Sequence, residues 1–146
     1  MKLLVAIDLS ESTEKIVKKV EEIAKILSAK VWLLHVAEPE PDFVGWEAGP
    51  QSARDFHSKL FHGEHRLIQD IADRLRKDGL DTTALLVQGA TVETILNEAS
   101  KLDVNMIVVG SHGRSAMYQL LAGSVCEGVL HKSERPILVV PTHERT

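Results

Sequence analysis

Five short apolar runs, separated by four stretches of helical periodicity, limit what this chain can fold into. The runs lie at residues 3–7, 31–36, 85–87, 106–109 and 137–140, and none alternates cleanly between apolar and polar residues. Such runs fit strands buried on both faces, as in parallel sheets. After the first run, Ile16, Val17, Val20, Ile23, Ala24 and Leu27 recur at helical spacing, predicting a helix over 12–28. Leu60, Leu67, Ile68, Ile71, Ala72 and Leu75 predict a second over 51–77, ended by Gly79. Val92, Ile95, Leu96, Ala99 and Leu102 form a third, with Thr91 as its cap, and a fourth runs over 124–131. Strict strand–helix alternation predicts an α/β fold: a five-stranded parallel sheet with helices on both faces and right-handed crossovers. No repeat or linker interrupts the 146 residues, so 1–146 reads as a single domain large enough to bury a real core.

In open sheets of this kind, ligands sit beyond the carboxyl ends of the strands, where the strand order reverses. Asp8, the loop after Val36 and residues 110–113 all follow strand ends. They converge if strand 1 lies between strands 2 and 4, which predicts the order 3-2-1-4-5. The fourth connection carries the strongest signal: Val108-Val109-Gly110-Ser111-His112-Gly113, then Gly123-Ser124 opening a helix, a G-x2-G-x9-G-S spacing. Glycine lets backbone approach a ligand closely. A helix start adds unpaired N–H groups and the positive end of a dipole. Together they outline a nucleotide-phosphate cradle.

Several other chemistries are excluded. The strand 1 turn has no glycine over 8–13, so the G-x-G-x-x-G dinucleotide fingerprint is absent, and no G-x4-G-K-[ST] P-loop or G-x-S-x-G elbow exists. Glu11 and Glu14 at the start of the first helix would repel phosphate there. Gln88-Gly89 follows strand 3 where a receiver domain would need a phosphorylatable Asp. The S-G-G-x-[DS] and H-x-G-H loops of adenylyl transferases are also missing. Seventeen Lys and Arg against 21 Asp and Glu give a formal charge of −4, which argues against broad nucleic-acid binding. No run is long enough to span a bilayer, no secretory segment opens the chain, and Cys126 is the single cysteine; a cytoplasmic location is expected.

At Gly110-Ser111-His112-Gly113-Arg114-Ser115 and Gly123-Ser124-Val125 the chain resembles a universal stress protein of the ATP-binding type. The likeness extends to Asp8 after strand 1, His35-Val36 closing strand 2, Gly89, and the terminal Arg135-Pro136-Ile137-Leu138-Val139-Val140-Pro141. The resemblance implies a Rossmann-like fold of the adenine nucleotide alpha hydrolase kind, paired into homodimers through strand 5, Ile137–Val140. It implies ATP, with Mg²⁺, at the carboxyl edge. Ala6, Ile7 and Asp8 would line the adenosine end, Asp8 near the ribose, and Val36 would contact adenine. Gly110, His112 and Gly113 would wrap the phosphates; Arg114 reads equally as a bidentate donor to a terminal phosphate or as an exposed surface arginine. Gly123, Ser124 and Val125 would complete the cradle. Two positions depart from the family pattern. Leu9 stands where glycine is usual and cannot take φ > 0 cheaply, which predicts a differently shaped turn. Cys126 stands where a hydroxyl is usual, and a thiol is a weak donor.

The plainer readings stand beside these. His57, His62 and His65 read as a solvated helix face rather than a metal site, because the spacing lacks zinc-ligand character. Cys126 reads as a small semi-buried filler rather than a reactive thiol. Asp8 serves equally as a helix cap or a ligand contact. His112 is expected to act through its backbone. The loop over 37–50, with Phe43 and Trp46, is long enough to suggest function without selecting one. The expectation is a homodimeric, ATP-binding sensor or regulator of the stress response, with no catalytic residues and no protein-held metal. The alternative is an interaction module of the same fold that takes a protein partner and no nucleotide.

Overall fold

The computed structural model describes residues 1–37, 51–111 and 124–142, with backbone alone at 51–58 and 124. Five strands and four helices alternate along them: β1 (Lys2–Ala6), α1 (Ser12–Leu27), β2 (Lys30–Ala37), α2 (Gln51–Lys77), β3 (Thr82–Gln88), α3 (Thr91–Leu102), β4 (Met106–Gly110), α4 (Ser124–Lys132) and β5 (Ile137–Val140). The strands form one sheet in the order β3-β2-β1-β4-β5, parallel throughout, as the alternation predicted.

Side chains alternate between the two faces of a strand, so each apolar run feeds two cores. Leu3, Val5, Val31, Leu33 and Val108 face Ile16, Val17, Val20 and Ala24 of α1, and Ile68, Ala72 and Leu75 of α2. Leu4, Leu34, Ile107 and Val109 face Ile95 and Ala99 of α3, and Cys126 and Val129 of α4. Unbroken apolar runs are the consequence of covering both faces with helices.

The helix ends differ slightly from expectation. α1 stops at Leu27, and Ser28 turns left-handed at φ 48°, its N–H bonding the Ala24 and Lys25 carbonyls. Asp103 does the same for α3, at φ 50°. Thr91 is the first residue of α3 and not its cap. Ala90 takes the capping position in extended backbone, and its carbonyl accepts from the Thr94 N–H at 2.9 Å.

Gly128 sets how closely α4 lies on α3. A Cβ there would come within 2.9 Å of Val92 Cγ2, and a Val side chain has little freedom to yield. Alanine in a helix interior gains about 1 kcal/mol over glycine, whereas overpacking costs about 1–3 kcal/mol. Gly128→Ala is therefore expected to lower stability by about 1 kcal/mol in urea denaturation. In a Val92→Ala background, the same change should raise it.

Candidate functional site

The strand order reverses between β1 and β4, and the site is built where these two strands end. Their register pairs Val5 with Val108, so Ile7 and Gly110, each two residues further on, reach the same height. On the other side Ala6 pairs with Leu34, which brings Asp8 level with Val36. Topology thus gathers Ala6, Ile7, Asp8, Val36 and Gly110 at one edge.

The chain leaves β1 through a locked turn. Ile7 N–H donates to the Leu34 carbonyl at 2.9 Å, extending the ladder past the last paired residue. Asp8 Oδ1 then accepts from both the backbone N–H, at 2.9 Å, and the hydroxyl of Ser10. The Ser10 Oγ in turn accepts from Ser12 N–H at 3.2 Å, and its carbonyl from Thr13 N–H at 3.0 Å. Asp8 therefore shapes the turn, and Ser10, not Asp8, receives the first helical amides. Leu9, in the middle, adopts φ 61°. Leucine here takes the left-handed conformation that glycine would favour. That conformation costs about 1–2 kcal/mol for a side chain bearing Cβ. Leu9 offsets the cost by packing into the α1–α2 core.

The exit of β4 is tied to the exit of β5. Ser111 N–H donates to the Val140 carbonyl at 2.9 Å, and Ser111 Oγ accepts from Thr142 N–H at 3.0 Å. Lys15, on the first turns of α1, donates to the Thr142 carbonyl at 3.1 Å and brings a positive charge to this edge. The acidic neighbour Glu14 is held by Arg74 of α2, both carboxylate oxygens lying 3.0 Å from Nη2.

Ala6, Val36 and Val125 all border the apolar cluster on the α3–α4 side of the sheet. They give the edge an apolar wall next to the first amides of α4, which have no partners within the helix. Cys126 is buried in the same cluster. Its side chain packs as a filler, and burial, with Glu127 beside it, pushes the thiol above its ordinary range. His112, Gly113, Arg114 and Gly123 lie outside the described residues, as do Phe43 and Trp46; Ser124 is placed by its backbone alone. His62 and His65 are exposed on α2, and no cluster of three metal-ligating side chains exists among the described residues.

One pair escaped sequence reasoning. His35, buried on β2, contacts the Ile7 carbonyl through Nδ1 at 2.9 Å and Glu64 of α2 through Nε2 at 3.3 Å. The sequence signal was a histidine inside an apolar strand. Its partner lies far along the chain, on a helix whose other described acids, Asp70 and Asp73, are exposed.

Two outcomes follow from this geometry. Leu9→Val is expected to destabilise more than Leu9→Gly in urea denaturation, by about 1 kcal/mol, although it keeps more apolar surface, because a β-branched residue fits φ > 0 worst. Cys126 should react with an alkylating reagent at about pH 8 at least tenfold more slowly in the folded protein than in urea, since the thiolate is the nucleophile and burial disfavours it.

The family model for the universal stress protein family matches residues 1–141. Universal stress protein MJ0577 of Methanocaldococcus jannaschii is 29% identical over 151 residues, covering 95% of this chain and 93% of that protein. Its solved structure superimposes with a TM-score of 0.81 over 99% of this chain and 97% of that one, at 28% identity. Universal stress protein A homolog 2 of Coxiella burnetii is 30% identical, covering 95% of this chain and 93% of that protein. A universal stress protein solved in complex with cAMP shares the fold, with a TM-score of 0.73 over 98% of each chain at 23% identity. The chain belongs to the universal stress protein family.

Proposed function

We propose that this chain binds ATP at the β1–β4 edge and acts, as a homodimer, in nucleotide-dependent sensing or regulation rather than in catalysis. The observation that carries the reading is the convergence of the Asp8 turn, Val36 and Gly110 at the point where strand order reverses. Family membership agrees with it, and a related fold holds an adenine nucleotide, cAMP, in another protein.

The described residues fit such a ligand. Ala6 and Val36 present apolar surface suited to adenine, beside a turn already organised by a carboxylate. Asp8 would face the ribose while Oδ1 remains with Ser10. Gly110 would start the phosphate loop, continued by His112, Gly113 and Arg114. Gly123, Ser124 and Val125 would close it with the amides of α4. Mg²⁺ would arrive on the phosphates. Leu9 is compatible with this reading, because it takes the left-handed step that glycine would favour. Cys126 lies in the α3–α4 core, so the cradle relies on backbone donors there. Among the described residues β5 ends the sheet, and pairing with the same strand of a second copy would cover that edge. Catalysis has little to build on, since the sequence offers no P-loop lysine at the phosphate loop.

Calorimetry on nucleotide-free protein should show ATP binding, and Gly113→Val should weaken it at least tenfold by placing side-chain bulk in the phosphate loop. A wild-type titration without heat, together with no adenine nucleotide released on denaturing freshly purified protein, would sink the reading in favour of a protein-interaction module. Sedimentation should show a dimer.

A further inference from the structure

The connection from β4 to α4, over 111–123, contains no lysine. The fold brings one to its start from α1. In the β4–β5 ladder, Ile107 N–H bonds the Pro136 carbonyl and Ser111 N–H bonds the Val140 carbonyl. The next acceptor in that row is the Thr142 carbonyl, two residues, or about 7 Å, further toward the carboxyl edge. Lys15 Nζ donates to it at 3.1 Å. Thr142 is held in line by its own N–H, which donates to Ser111 Oγ at 3.0 Å. The ammonium therefore stands at the head of the row, one rung beyond Ser111, where sheets of this kind receive ligands.

Its surroundings suit an anion. Lys15 makes no ion pair among the described residues, and its neighbour Glu14 is bonded by Arg74 through both oxygens at 3.0 Å. An ammonium has three N–H donors, and the Thr142 carbonyl uses one. The aliphatic stem carries the charge off the acidic start of α1, Glu11 and Glu14, and onto the exits of β4 and β5. The contact is partly buried, so water screens the charge less than on an open surface.

We propose that Lys15 reads the length of the nucleotide's phosphate chain, its ammonium pairing with the terminal phosphate of a nucleoside triphosphate. The inference rests on the ATP reading above and adds to it the selection of triphosphate over monophosphate. Sheet order sets the distance. With the ribose at Asp8, on the exit of β1, a phosphate chain must cross β4 to approach the exit of β5, two strand spacings or about 10 Å away. A triphosphate extends across that gap; a monophosphate stops short of the lysine.

The test is calorimetry with ATP and with AMP on the nucleotide-free full chain, as wild type, Lys15→Met and Lys15→Arg. Lys15→Met should weaken ATP binding about tenfold, as expected for one charge-assisted hydrogen bond, and change AMP binding by less than about twofold. Lys15→Arg should restore the preference for ATP. Added salt should lower ATP affinity more steeply in the wild type than in Lys15→Met, because the lost contact is electrostatic. An equal loss for ATP and AMP would mean that Lys15 only steadies Thr142, and would overturn the proposal. An unchanged ATP affinity in Lys15→Met, or an arginine that restores nothing, would overturn it as well. The two readings fail differently. A wild type that binds neither nucleotide defeats the ATP reading itself. A wild type that binds ATP, with the same ATP-to-AMP ratio in Lys15→Met, leaves that reading standing and removes the lysine's role.

Discussion

The structure depends on β1 being paired along both edges. Leu3, Leu4 and Val5 are inaccessible to solvent and supply both cores from three consecutive positions. Burying each such leucine or valine contributes about 1.5–3 kcal/mol. Apolar faces on both sides leave the register weakly specified by pattern alone, because a one-residue slip exchanges one apolar set for another. Directional bonds at the strand ends make the choice. At the amino end, Lys30 N–H bonds the Met1 carbonyl, Asn105 N–H bonds the Lys2 carbonyl, and Lys2 N–H bonds Asn105 Oδ1. At the carboxyl end, Ile7 bonds Leu34 through its N–H and His35 through its carbonyl. Slippage would break both ends at once.

The two faces of the sheet divide the labour at the edge. Ala6, Val36 and Val125 border the α3–α4 side and give it an apolar wall. Leu9, His35 and Glu64 belong to the α1–α2 side and hold the β1 exit in place. A strand directs successive residues to opposite faces, so one short segment, Ala6 to Leu9, serves both.

The fold was legible because periodicity is a local property: apolar runs and helical spacing fixed the type and order of every described element. Strand order followed from asking which strands must be neighbours for Asp8 and Gly110 to meet. Details that depend on distant partners were not legible. Leu9 looked incompatible with the turn because sequence shows the steric penalty and not the core contact that offsets it. Cys126 is an exception, because it read as a small semi-buried filler and is buried in the α3–α4 core. Thr91 looked like a cap because threonine favours that role, yet the extended residue before it takes the place. His35 read only as part of the His35-Val36 close of strand 2, because its contact with Glu64 crosses the helix–sheet interface.

The left-handed caps at Ser28 and Asp103 bear on how such a chain can diversify. They hold the helix-to-strand returns to residues 28–29 and 103–105, so the amino edge of the sheet has no slack. An inserted residue there would disturb a cap and a strand register together. The connections over 38–50 and 111–123, which would meet the ligand under the proposed function, leave from the opposite edge, where added length would leave both capped returns untouched. Sequence drift is thereby channelled: one edge preserves the scaffold, and the other is open to new specificities.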